Sequence, residues 1–251
     1  MLKFENVRMR YEPYPLAVIR PAMEASQYAE LVANFPDIAL FEPLGKYPFK
    51  LSLSEKFARR NYERFLRENA AWGRVHAWVK SEAFIRSIVE FLRANHVDLP
   101  LDQAFEDWPT RLRRQGKSLL RGRLPQPAMR LRSRFEFSVL KADGGEVAPH
   151  TDAERKVITI VMSMIGPDDW REEIGGGLDV NRATDPRYAY NWKNRVIPWE
   201  SIEVLETVPF VPNQCMVFVK TFNSLHSVQR MTETGSDLLR KTITIVIERD
   251  E

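Results

Sequence analysis

The sequence predicts an α+β, β-rich fold in which helices precede a sandwich or jelly roll of short strands. Three observations predict it. The spacing of apolar residues changes from helical to a period of two near residue 130. Near-continuous β-branched runs, such as Val157 to Ile165, follow that change. Gly144-Gly145 and Gly175-Gly176-Gly177 punctuate them, as turns do between short strands.

Each element can be justified in order. Val18 and Ile19 suit a short strand before Pro21. Ala22 to Phe35 reads as a helix that Pro36 stops, because proline cannot continue the hydrogen-bond ladder. Ser52 with Glu55 forms a candidate capping box ahead of Phe57, Phe65 and Leu66. Trp72 to His96 carries apolar residues at helical spacing throughout. Gly122 to Pro127 marks a loop. Phe135, Phe137 and Val139 then alternate with Arg134, Glu136 and Ser138, as in a strand with one buried face. Val204 to Val208, Cys215 to Lys220 and Thr242 to Glu248 are further strands. The organisation expected is a helical region, residues 1–130, packed on a jelly-roll core, residues 131–251, as one integrated domain.

Composition removes several function classes. The 251 residues are 44% hydrophobic, too apolar for a disordered chain. A single cysteine, Cys215, excludes an internal disulfide framework and a thiolate zinc site; it reads as a small buried hydrophobe. No apolar run approaches the roughly 20 residues that span a bilayer, and Met1 to Asn6 lacks signal-peptide order. A cytoplasmic location is the expectation.

Charge is unevenly distributed. Arg111 to Arg134 holds nine basic residues and no acidic one, while 28 basic residues face 34 acidic ones elsewhere, a balance of −6. Such a block suits an anionic small molecule or glycan, or peripheral contact with an anionic surface; it is equally a solvated face. No nucleic-acid motif accompanies it.

The chemistry centres on Pro149-His150-Thr151-Asp152. If extended, this stretch turns His150 and Asp152 to one side. His226 follows the strand Cys215 to Lys220. Two imidazoles and a carboxylate can cap one face of an octahedral metal and leave three positions open. Alone, a His-x-Asp is also compatible with a core histidine and a turn aspartate. Arg240 and Thr242 share a face of the last strand and can hold a carboxylate by fork and hydroxyl. Arg134, Glu136 and Ser138 are candidate substrate contacts if their face lines the barrel mouth. Trp170 and Asn223 can border the site. His76 and His96 lack ligand spacing and read as structural.

Together these pieces resemble the Fe(II)/2-oxoglutarate-dependent dioxygenases, in particular their prolyl-4-hydroxylase-like branch. The resemblance rests on His150-Thr151-Asp152, Val157 to Val161, Gly175 to Leu178, Met216 to Val219, His226 and Arg240-x-Thr242. It implies a double-stranded β-helix flanked by helices, with iron held by His150, Asp152 and His226. It implies that Arg240, assisted by Thr242, holds the distal carboxylate of 2-oxoglutarate. The implied reaction consumes O2 and hydroxylates an unactivated C–H, releasing succinate and CO2, with ascorbate as a reductant. Halogenating relatives replace the carboxylate ligand by a small residue; Asp152 therefore argues for hydroxylation. The His226–Arg240 spacing is a few residues longer than the family's, with Thr232 to Asp237 as an inserted loop. Arg230 competes for the anchoring role; Arg240 is preferred because it leads a strong strand. Arg230 is then a substrate or structural arginine. The alternatives are a protein or peptide hydroxylase and a non-catalytic cupin-like metal-binding module.

Overall fold

The computed structural model describes residues 2–44, 47–121, 124 and 129–250. In chain order it forms β1 (Val7–Arg10), β2 (Leu16–Ile19), α1 (Ala25–Ala33), β3 (Glu42–Leu44) and β4 (Tyr47–Ser54). The helices α2 (Arg59–Glu68), α3 (Ala70–Val79), α4 (Glu82–Ala94) and α5 (Trp108–Leu120) follow. Eight strands complete it: β5 (Arg130–Lys141), β6 (Val147–His150), β7 (Lys156–Ser163), β8 (Leu178–Ala183), β9 (Ile202–Val208), β10 (Cys215–Val219), β11 (His226–Val228) and β12 (Leu239–Asp250).

The strands make two antiparallel sheets. The larger has the order β1-β2-β10-β7-β12-β5-β4-β3, the smaller β6-β11-β8-β9. Strand alternation gives the larger sheet two different faces. On its outer face Phe135, Phe137, Ile158, Ile160, Ile243 and Ile245 join Trp72, Phe84, Ile88 and Leu92 in one buried core beneath the helices. Trp72 meets Phe137 edge to face at 4.8 Å. On its inner face Leu16, Met216 and Phe218 meet Leu178, Val180 and Val208 of the smaller sheet. Trp170, Ile174, Phe210 and Met231 form a third apolar cluster, with Leu140 and Ile165.

Several expectations need correction. Ser52 is not a helix cap: it lies inside β4, and α2 begins at Arg59 after Ala58 in the left-handed region. Ser54 instead accepts from the backbone N–H of Phe57. Trp72 to His96 is two helices, because the Ser81 hydroxyl caps Phe84 N–H and starts α4 afresh. The first 130 residues are not uniformly helical, since β1 to β4 join the same sheet as the barrel strands. Of the expected loop Gly122 to Pro127, only Leu124 lies within the described residues.

The basic block is divided. Arg111, Arg113, Arg114, Lys117 and Arg121 belong to α5 or its cap, whereas Arg130, Arg132 and Arg134 belong to β5; Arg123 lies outside the described residues. α5 has no buried residue. Its half-buried side is Arg111, Arg114, Gln115 and Ser118, while Trp108, Leu112, Leu119 and Leu120 face solvent.

Candidate metal centre

β6 and β11 are short, but they bring the two histidines together. His226 is the antiparallel partner of His150, and their ring centroids lie 4.5 Å apart. Asp152 follows β6 by two residues and turns to the same side. One ligand atom from each of His150, Asp152 and His226 lies within 4.8 Å of the others. Both imidazoles are oriented by the backbone. Nδ1 of His150 meets the Ala148 carbonyl at 2.8 Å and Nδ1 of His226 meets the Ser224 carbonyl at 3.0 Å. As donors there, the Nδ1 atoms leave each Nε2 with a free lone pair, the tautomer a metal requires.

Electrostatics favour the same state. Burial, then His226, pulls the His150 pKa down to about 3, and burial likewise lowers that of His226. Both rings are therefore neutral ligands at ordinary pH. Burial alone would raise the Asp152 carboxyl, but Lys156 and the two imidazoles hold it below the usual carboxylate range. Lys156 pairs with one Asp152 oxygen, and the Thr159 hydroxyl donates to the other at 2.5 Å. Each oxygen keeps a lone pair for a metal. Lys220 is buried beside this group; its Nζ bonds the Thr151 hydroxyl at 3.1 Å and lies 4.8 Å from the Trp192 ring. Burial lowers its pKa to about 8.

Arg240 is buried on the inner face of β12. Its Nε donates to Gly176 O at 2.5 Å and its guanidinium stands 4.5 Å over the Phe210 ring. No acid pairs with it among the described residues, and burial lowers its pKa to about 10. Gly176 is required here: its φ is +76°, and a Cβ would lie 3.1 Å from the Arg240 Cδ. Thr242 shares that face and donates to Ser138 O at 3.3 Å. Arg230 is exposed beside Gly144. Trp170 belongs to the apolar cluster at the Arg240 end, and Asn223 donates to Pro13 O.

The register places Arg134, Glu136 and Ser138 opposite Val246, Thr244 and Thr242, on the inner face of the larger sheet. Arg134 lies 3.2 Å from Glu248, which is fully buried and also meets Arg132 and Arg155. Glu136 lies 4.0 Å from Lys50. Composition and spacing do not single out Glu248 or Thr159, because their partners come from strands distant in sequence. Of the remaining histidines, His76 lies in α3 and His96 follows α4, both away from the triad's ligand group.

No family model matches the chain, and no curated protein is detectably similar to it. Among solved structures, a prolyl-4-hydroxylase from Pseudomonas putida superposes with a TM-score of 0.50 at 11% identity, over 94% of this chain and 92% of that one. SnoN, a non-heme α-ketoglutarate-dependent epimerase from nogalamycin biosynthesis, gives 0.48 at 14% identity, over 93% and 78%. HygX from Streptomyces hygroscopicus, solved with nickel, 2-oxoglutarate and hygromycin B, gives 0.44 at 9% identity, over 93% and 82%. The first of these likenesses agrees with the sheet topology: the fold is a double-stranded β-helix, or jelly roll, with flanking helices.

Proposed function

We propose that the protein is an Fe(II)- and 2-oxoglutarate-dependent dioxygenase that hydroxylates a small or glycan-type, anionic substrate. The observation that carries this reading is the convergence of His150, Asp152 and His226 on one point. Two neutral imidazoles and one carboxylate, with their outer atoms already hydrogen-bonded, fit Fe(II) with open positions. When bound, iron and 2-oxoglutarate supply the oxidising power, with succinate and CO2 as co-products.

The chain's own groups then have distinct tasks. The Ala148 and Ser224 carbonyls fix the imidazole tautomers. Thr159 and Lys156 hold Asp152 ionised and oriented. Arg240, buried without an acidic partner among the described residues, would receive the distal carboxylate of 2-oxoglutarate, with Thr242 beside it. A metallohydrolase has no use for such an anchor. Arg132, Arg134 and Arg155, gathered around Glu248, support an anionic substrate.

Anaerobic addition of Fe(II) and then 2-oxoglutarate should give a visible charge-transfer band that His226→Ala abolishes. Arg240→Met should keep iron binding yet raise the KM for 2-oxoglutarate roughly 10- to 100-fold, as expected for losing a charge-assisted contact. Succinate release, assayed with ascorbate against candidate acids, sugars and peptides, reports the substrate class. No band in the wild type, or the same band in His226→Ala, would return the protein to the non-catalytic cupin-like reading.

A further inference from the structure

β5 is longer than its neighbour β4. The two pair from Lys50↔Leu140 to Ser54↔Glu136 and no further. Between Arg130 and Phe135, β5 keeps β12 on one side, and α2 and α3 stand near its other edge. A cleft of about 670 Å³ lies there, a size typical of small-molecule sites. Of the twelve described residues that line it, six are cations and two are acids. Both acids are already engaged, Glu55 with Lys80 at 2.7 Å and Glu63 with Arg59 at 2.8 Å. Lys56 and Arg67 line the same cleft and form no ion pair among the described residues.

Two polar atoms are buried behind the wall of the cleft. Tyr62 is 2% exposed, yet its hydroxyl has no hydrogen-bond partner among the described residues. Nε2 of His76, whose ring stands 5.7 Å from that of Tyr62, is unpaired too. Both atoms are sealed from solvent, so they lie behind the wall rather than on it, and the cations alone present polar groups to a ligand. Arg132 is oriented by its hydrogen bond to the buried Glu248, and Arg134 lies 3.2 Å from the same carboxylate.

One lining residue, Arg134, shares the inner face of the larger sheet with Thr159. Arg134 pairs across the sheet with Val246, and Val246 with Thr159, whose hydroxyl bonds Asp152. Two strand spacings of 4.7–4.9 Å put the backbones of Arg134 and Thr159 roughly 10 Å apart.

We propose that this cleft binds a phosphate or diphosphate group on the substrate, so that the rest of that molecule reaches the triad. The substrate assignment rests on the oxygenase reading above; the anion site does not. Phosphate fits better than carboxylate, because a single guanidinium fork satisfies a carboxylate. Here several cations approach from β5, α2 and the turn before α2, and a phosphate can accept from all of them.

The test uses iron-free protein, with calorimetric titration and thermal shift at constant ionic strength. The probes are inorganic pyrophosphate, inorganic phosphate, glucose 1-phosphate and acetate. Pyrophosphate and glucose 1-phosphate should bind and raise Tm, and acetate should do neither. The double variant Lys56→Gln/Arg67→Gln should weaken pyrophosphate binding about tenfold or more. Pyrophosphate binding no stronger than acetate, or equal in wild type and the double variant, overturns the site. Glucose 1-phosphate binding no better than inorganic phosphate overturns the substrate assignment. Tight pyrophosphate binding in a protein that never turns over 2-oxoglutarate would sink the oxygenase reading and leave the anion site standing.

Discussion

Asp152 shows how much of a metal centre lies beyond its ligands. Its oxygens are held by Lys156 and Thr159, and the latter is 4% exposed in β7. Thr159→Val keeps the β-branched shape but removes the donor. We expect divalent-metal affinity to fall about 10- to 100-fold, the usual effect of losing an outer partner, with the far-UV circular dichroism unchanged. A cobalt(II) competition titration measures this, and an unchanged Kd would reduce Thr159 to a strand-packing residue. The three ligands were legible in the sequence, because a two-residue period turns His150 and Asp152 one way and the order His-x-Asp…His is visible. Their outer partners were not. Thr159, and elsewhere in the molecule Glu248, gain meaning only through register, which a linear pattern does not state. Glu248 reads as the polar end of a strand, yet it is fully buried and meets three arginines.

Among elements, legibility followed burial pattern and length. β5, β7, β10 and β12 carry strong alternation or β-branched runs and are plain in the sequence. β1, β3 and β8 are three to six residues long, and so short a stretch offers too little pattern to detect. α5 escaped for a different reason: its amphipathicity is inverted. Arg111, Arg114, Gln115 and Ser118 are its half-buried side, whereas Leu120 is 90% and Trp108 72% exposed. Such a helix owes little stability to its apolar residues. Leu120→Ser should therefore change Tm by less than about 2 °C in calorimetry, as for other surface positions. Trp72→Ala, which empties the core between α3 and β5, should cost about 3–5 kcal/mol. A large loss of Tm in Leu120→Ser would mean that α5 packs by its leucine face.

At the scale of the whole molecule, the helices and the jelly roll share one core. Phe84, Ile88 and Leu92 of α4 belong to the same buried cluster as Ile243, Ile245 and Ile247 of β12. The β-helix needs that cover, because stripping the helices would expose the outer apolar face of the larger sheet to water. The helices depend on it equally: α1 to α4 are 9 to 13 residues long, marginal as isolated helices. Neither layer is thus expected to persist without the other. Native-state hydrogen exchange tests this directly. The slowest amides of α4 and of β12 should share one opening free energy, equal to that of global unfolding, and respond to urea with the same slope. A distinctly lower opening energy for α4 would instead show that the helical layer melts while the barrel strands remain, and that the two are separable units.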